Sequence, residues 1–254
     1  MPLAPGQARP HTAPVAQDLS SPPGRRAAWI NSLFVDHAAL RLLWRNWGVV
    51  APGRLYRSNH PSPRQLRAAA GRLGIRTVLN LRGHRDTCGS DALGREAAAE
   101  LGLRQVDAPL ESRGAPHKDR VLRLAKLFRE MPEPVLLHCK SGADRTGLAA
   151  GIWLLLQGEP VEVAMRQLSW RHGHVAASKT GILDAFFREY AAFQKAHGPK
   201  PFLGWNRTTT STRCAPPSSH APGPTGWWMA CCGGNSRGKA GGKNSSDLPS
   251  LFVG

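Results

Sequence analysis

Cysteine is scarce in this chain of 254 residues. There are five, Cys88, Cys139, Cys214, Cys231 and Cys232, and their spacing suits neither a disulfide framework nor a zinc site. That excludes a small stapled secreted fold and points to a reducing, cytoplasmic setting. Acidic residues are also few: 17 Asp and Glu stand against 34 Lys and Arg, for a net charge of +17. Long apolar runs are missing. The longest, near Leu148–Leu156, is too short to cross a bilayer, and the chain does not open with a charged segment followed by an apolar one, so no secretory signal is expected. There is no internal repeat. The G-x-x-x-x-G-K-[ST] pattern of nucleotide hydrolases is absent too.

Residues 1–27 are rich in Pro, Ala, Gly and Ser, and residues 199–254 in Gly, Ser, Thr and Pro. Neither stretch has helical or strand periodicity, so both are expected to be disordered tails around one domain at 28–198. The N-terminal tail carries +2 and the C-terminal tail +5, which leaves +10 on the middle. A basic domain favours anionic partners, here a phosphorylated protein or a polyphosphorylated small molecule. The arginines are scattered over several helices without a reader motif, which argues against nucleic acid.

Between the tails, apolar periodicity alternates between helix and strand. Asp36 is placed to cap a helix through Leu40, Leu43, Trp44 and Trp47. Ser62-Pro63 opens another, ended by Gly74. Strands are expected at 75–81, 103–107 and 135–138. Helices are expected from Asp91 to Gly102, after Asp119, after Pro160, and from Lys179 to Ala196. The alternation predicts an α/β domain with a mainly parallel sheet flanked by helices.

The run His138-Cys139-Lys140-Ser141-Gly142-Ala143-Asp144-Arg145-Thr146-Gly147 joins the strand Val135–His138 to the apolar helix beginning near Leu148. A glycine-bearing loop on a helix N-terminus turns successive N–H groups inward and binds anions. Such a setting favours the thiolate of a cysteine at its mouth, and an arginine at its far end grips two oxygens of a phosphate. Nucleophile, cradle and clamp together describe phosphate-monoester hydrolysis through a cysteinyl-phosphate. Cys139 also lies at the carboxyl end of a strand, where open α/β sheets bind ligands.

These residues match the H-C-x5-R-[ST] signature, and the chain resembles the protein tyrosine phosphatase superfamily. The form HCKSGADRTG is most similar to its bacterial dual-specificity-like branch, as are Gly53-Arg54-Leu55-Tyr56-Arg57-Ser58 and Ile75-Arg76-Thr77-Val78-Leu79-Asn80-Leu81-Arg82 upstream. The resemblance implies a cysteine-phosphatase fold, no cofactor and no metal. Cys139 is the implied nucleophile and Arg145 the implied phosphate clamp. Lys140, Ser141, Gly142, Ala143 and Thr146 complete the binding loop, with the Thr146 hydroxyl donating to the Cys139 sulfur.

Three carboxylates compete for the general acid that protonates the leaving oxygen. Asp107 and Glu111 lie in the region before the cysteine where the superfamily often keeps its acid. Asp144 sits inside the loop, where some lipid-acting and bacterial members use an aspartate; alternatively it orients a basic neighbour. His138 either supports the loop or is simply packed. Arg57 and Arg82 are equally placed for the cleft or the surface. Lys140, Arg113, His117, Lys118, Arg171, His172, His174 and Lys179 could form a cationic rim suited to a polyphosphorylated ligand. Cys88 is a candidate redox partner of Cys139.

Overall fold

Alternation along short strands sends neighbouring side chains to opposite faces of a sheet, and here both faces are covered. The computed structural model describes residues 19–36 and 44–208. Among them are strands β1 (Gly48–Ala51), β2 (Leu55–Ser58), β3 (Thr77–Asn80), β4 (Arg104–Asp107) and β5 (Val135–His138). They form one sheet in the order β1-β2-β5-β3-β4. β5 runs parallel to both β2 and β3, and β3 parallel to β4. Only β1 is antiparallel, to β2. Mixed α/β architecture with a mostly parallel sheet is therefore observed.

The alternation can be read residue by residue. Tyr56, Val78 and Leu136 join one apolar layer with Leu66, Ala69, Ala97 and Ala98. Leu55, Leu79, Val135 and Leu137 join the larger layer with Val121, Leu124, Leu148, Ile152 and Phe187. The first layer is built by α2 (Pro63–Leu73) and α3 (Gly89–Glu100). The second is built by α4 (Lys118–Glu130), α5 (Asp144–Leu156), α6 (Val161–Met165) and α7 (Ile182–His197). α2 begins as its sequence dictates. Ser62 caps it through a capping box with Gln65, Pro63 opens the first turn, and Gly74 ends it in the left-handed region at φ 62°. α5 is apolar all round, because it runs behind the sheet centre with ten residues from Thr146 to Leu155 buried.

Several expectations are corrected. The stretch 1–27, expected as a tail, includes the start of α1 (Pro22–Ile30), which is capped by Ser21 with proline in its first turn and continues as a π-turn to Val35. The stretch 199–254 was expected to be tail throughout, yet α8 (Phe202–Thr208) falls within it. There Phe202 and Trp205 are buried against Phe186 and Tyr190. A single aromatic pair at helical spacing is enough to dock one extra helix, and composition averages it away. The helix expected from Asp36 through Trp47 falls partly outside the described residues. Where described, it is absent: residues 44–47 are irregular, and β1 follows at once. The remaining tail residues, 1–18 and 209–254, with Cys214, Cys231 and Cys232, lie outside the described residues. Among the described residues no helix is long and apolar enough to cross a membrane.

Candidate active site

β5 is the middle strand of the sheet, and the loop after it carries Cys139 to Ala143 onto the N-terminus of α5. Three successive carbonyls of this loop are tied outward. Lys140 O accepts the His60 N–H at 3.2 Å. Ser141 O accepts from Asn46 Nδ2 at 2.8 Å. Gly142 O accepts from Arg57 Nη2 at 2.6 Å. In a planar trans peptide the N–H points opposite to the C=O, so outward carbonyls turn the amides toward the loop's centre. The cradle follows from those three partners. Gly142 is in the left-handed region at φ 77°, and a Cβ there would lie 2.7 Å from Ser58 O and 2.8 Å from Asn59 N. Only glycine lets the loop settle this closely onto the end of β2.

Cys139 is 2 % exposed, and its Sγ accepts the Gly142 N–H at 3.2 Å. Ala143 takes the helix N-cap position with no side-chain cap, so the first amides of α5 have no side-chain acceptor from that residue. Ser141 is exposed, and its Oγ accepts the Ala143 N–H at 3.3 Å. Arg145 is half-buried and makes no hydrogen bond or ion pair with a described residue, which leaves its fork open to an anion. The Lys140 ammonium reaches Asp36 at 3.5 Å. The expected bond from Thr146 to the Cys139 sulfur is not made: Thr146 is fully buried and its Oγ1 has no partner.

The three candidate acids are held differently. Arg95 Nη2 takes both oxygens of Asp107, at 2.7 and 2.9 Å, and Asn80 Nδ2 adds a third contact. Glu111 is paired through Oε1 with Arg120, while its Oε2 is buried without a partner. Asp144, in the first turn of α5, binds His174 Nδ1 through Oδ1 at 2.8 Å, and its Oδ2 has no partner among the described residues. The structure thus brings Asp144 to the loop with one oxygen uncommitted.

The remaining sites divide. Arg57 is not a surface residue. It is 1 % exposed and also donates from Nη1 to Gln167 O and Oε1. Burial pushes its pKa down to about 10, with Cys139 opposing, so it stays charged near neutral pH. Arg82 makes a bidentate pair with Asp36 at 3.1 and 3.2 Å and lies 3.9 Å from the sulfur of buried Cys88. His138 is packed edge-on against His60, and burial lowers its pKa to about 4. Two histidines leave the expected cationic rim. His172 is neutral, its pKa lowered to about 4 by burial and then by Arg57 and Arg171, and its Nδ1–H donates to Asn46 Oδ1. His174 is buried between Asp144 and Asp184. Among the described residues no group of three or more His, Cys, Asp or Glu could hold a metal.

Sequence reasoning missed Asn46, which binds both Ser141 O and His172 O and so joins the loop to the segment after α6. Nothing in its context, between Arg45 and Trp47, marks it. It also missed Asp184, which did carry a signal: an acid beside Leu183, Phe187 and Tyr190 on the buried face of α7.

Residues 70–183 match the family described as DSP-PTPase phosphatase fused to NAD+ kinase. No curated protein matches the chain. Among solved structures, TpbA of P. aeruginosa is 24 % identical, covering 61 % of this chain and 92 % of that one, with a TM-score of 0.46. The core catalytic domain of the PP-IP phosphatase SIW14 from S. cerevisiae is 16 % identical, covering 59 % and 91 %, with a TM-score of 0.47. A further TpbA structure, a cysteine-to-serine form in complex with pTyr, is 24 % identical over 60 % and 91 %, with a TM-score of 0.45.

Proposed function

We propose that this chain is a dual-specificity-like cysteine phosphatase of the protein tyrosine phosphatase superfamily that hydrolyses phosphate monoesters of phosphoproteins through a cysteinyl-phosphate. One observation carries the reading. Three carbonyls of the loop are tied outward over a cysteine at its base, beside an arginine with no partner among the described residues. That is an anion cradle with a nucleophile under it. Cys139 Sγ attacks phosphorus, the bond to the leaving oxygen breaks, and the loop amides with Arg145 hold the equatorial oxygens. Thr146 lines the base of the loop. Water then attacks phosphorus, the S–P bond breaks, and phosphate leaves.

Asp144 is the general acid in this scheme. The Arg95 fork on Asp107 and the Arg120 pair on Glu111 support that choice, as does the uncommitted Oδ2 of Asp144. A thiolate nucleophile needs a reducing compartment, which suits a cytoplasmic protein. The catalytic unit comprises residues 22–208.

A phosphotyrosine-bearing chain is the substrate best supported. Trp44 and Trp170, 55 and 85 % exposed, flank Asn46 and His172 beside the loop and offer apolar surface to a phenol or peptide. Lys140 favours a second reading, inositol phosphates or phosphoinositides, because it adds charge directly after the nucleophile. A module that binds phosphate without turnover is disfavoured by the intact set of Cys139, Arg145 and Thr146. Phosphate release from p-nitrophenyl phosphate by wild type beside Cys139→Ser tests the chemistry; full activity in the variant would refute it. Lys140→Ala tests the substrate. The protein reading expects similar losses on a phosphotyrosine peptide and an inositol polyphosphate. A loss at least about tenfold larger on the latter, roughly the weight of one charge-assisted contact, would favour the second reading.

A further inference from the structure

The proposed reaction leaves two buried contacts beside the loop without a role. His174 is 2 % exposed, with Nδ1 2.8 Å from Asp144 Oδ1 and Nε2 2.7 Å from Asp184 Oδ2. A neutral imidazole donates from one nitrogen only, and an ionised carboxylate only accepts. Asp144 Oδ1, with the carboxyl proton on Oδ2, and the ionised Asp184 both only accept, so both are satisfied only by a doubly protonated ring. Burial alone would strip that proton. The Asp144 and Asp184 hydrogen bonds and charges outweigh it, and the His174 pKa is raised. These carboxylates are the charged groups facing the ring, one from α5 and one from α7. The approach is fixed by Gly173, left-handed at φ 76°, where a Cβ would fall 2.6 Å from Trp44 Cη2. His174 is thus placed by a left-handed turn that favours glycine, beneath an indole.

We infer that His174 and Asp184 are positioning residues that aim the proton-donating carboxyl of Asp144 and compensate the charge it acquires in the reaction. The inference rests on the proposed role of Asp144. As the Cys139 Sγ–P bond forms and the P–O bond breaks, the leaving oxygen takes the proton from Asp144 Oδ2. The carboxylate left behind is met by the His174 Nδ1–H at Oδ1. In the second step water attacks phosphorus, the S–P bond breaks, and the proton from water returns to Asp144. His174 gains and loses no proton overall. Asp184 sustains its charge in a site that would otherwise expel it.

The test uses full-length protein and two substrates that differ in their need for a proton: phenyl phosphate, whose leaving group is strongly basic, and p-nitrophenyl phosphate, whose leaving group is weakly basic. His174→Gln places its amide toward Asp184 and loses the Asp144 contact. His174→Asn places its amide where Nδ1 stood. His174→Gln is expected to lose about tenfold to a hundredfold in kcat/KM, which reads the step that expels the leaving group, on phenyl phosphate, and no more than about threefold on p-nitrophenyl phosphate. His174→Asn is expected to recover part of the loss. Asp184→Asn is expected to show the same selectivity more weakly, and to add nothing in a His174→Gln background. It carries the test alone if His174→Gln fails to melt cooperatively. Equal losses on the two substrates, or none, would overturn the inference while leaving the cysteine chemistry standing. Undiminished activity in Cys139→Ser would instead bring down the proposed function.

Discussion

Single buried polar side chains decide how this site is built. Arg57 spans from β2 to the loop and to Gln167. Removing it strands two backbone carbonyls, at about 1–3 kcal/mol for each unsatisfied group. The motif containing Arg57 was visible in the sequence, but its direction was not, since a strand of unknown facing leaves both outcomes open. Asn46 and the pairing of His174 with Asp144 were invisible for a related reason: each acts on a partner that is distant along the chain. The nucleophile and the clamp, by contrast, were legible because their chemistry is local to ten consecutive residues. Titration adds a prediction at this scale. His138 has a folded pKa of about 4, below its ordinary 6.5. Its neutral form therefore stabilises the fold fully above about pH 6.5, and that contribution fades as pH falls toward 4. The loss is about 3 kcal/mol at the acid end. His172 acts in the same direction, whereas His174, with a raised pKa, favours lower pH and loses its contribution as pH rises. Chemical denaturation from pH 7 to 4 should show falling stability, and His138→Phe should flatten the fall. An unchanged acid profile in that variant would contradict the assignment.

Elements were readable in proportion to how much of their signal is internal. β5, with four consecutive buried residues and a turn after it, was placed to the residue. α2 carried its own start and stop in Ser62, Pro63 and Gly74. β1 and β2 were not foreseen as strands. Each is four residues long, β1 shows no clean alternation, and the tryptophans before it mimic a helical period. The loop–helix junction is the element on which function depends, and Gly142 is its tightest point. Gly142→Ala should abolish phosphate release, since a Cβ meets backbone on two sides and the residue holds a positive φ. Far-UV circular dichroism should change little, because the strain is confined to the loop. A fully active Gly142→Ala protein would show that the loop geometry described here is not the one used.

At the scale of the whole molecule, the helices after β5 close the larger apolar layer, and α8 extends it. Tyr190 donates to Lys200 O at 2.7 Å, and the Phe186, Tyr190, Phe202 and Trp205 rings pack together. The sequence hid this because two aromatic residues sit at the edge of a long Gly- and Ser-rich stretch whose composition dominates any average. Truncation after Gly198 should therefore lower stability by at least about 3–5 kcal/mol, the scale of deleting one buried aromatic side chain, read as a reduced denaturation midpoint. An unchanged midpoint would mean that α8 is dispensable. All these features converge on one claim, that phosphate passes through Cys139. The most direct measurement is rapid acid quenching during turnover of a phosphotyrosine peptide, followed by mass analysis of the peptide containing Cys139. The account predicts a phosphate adduct on that peptide in wild type and neither adduct nor turnover in Cys139→Ser. Turnover that persists in Cys139→Ser would contradict it.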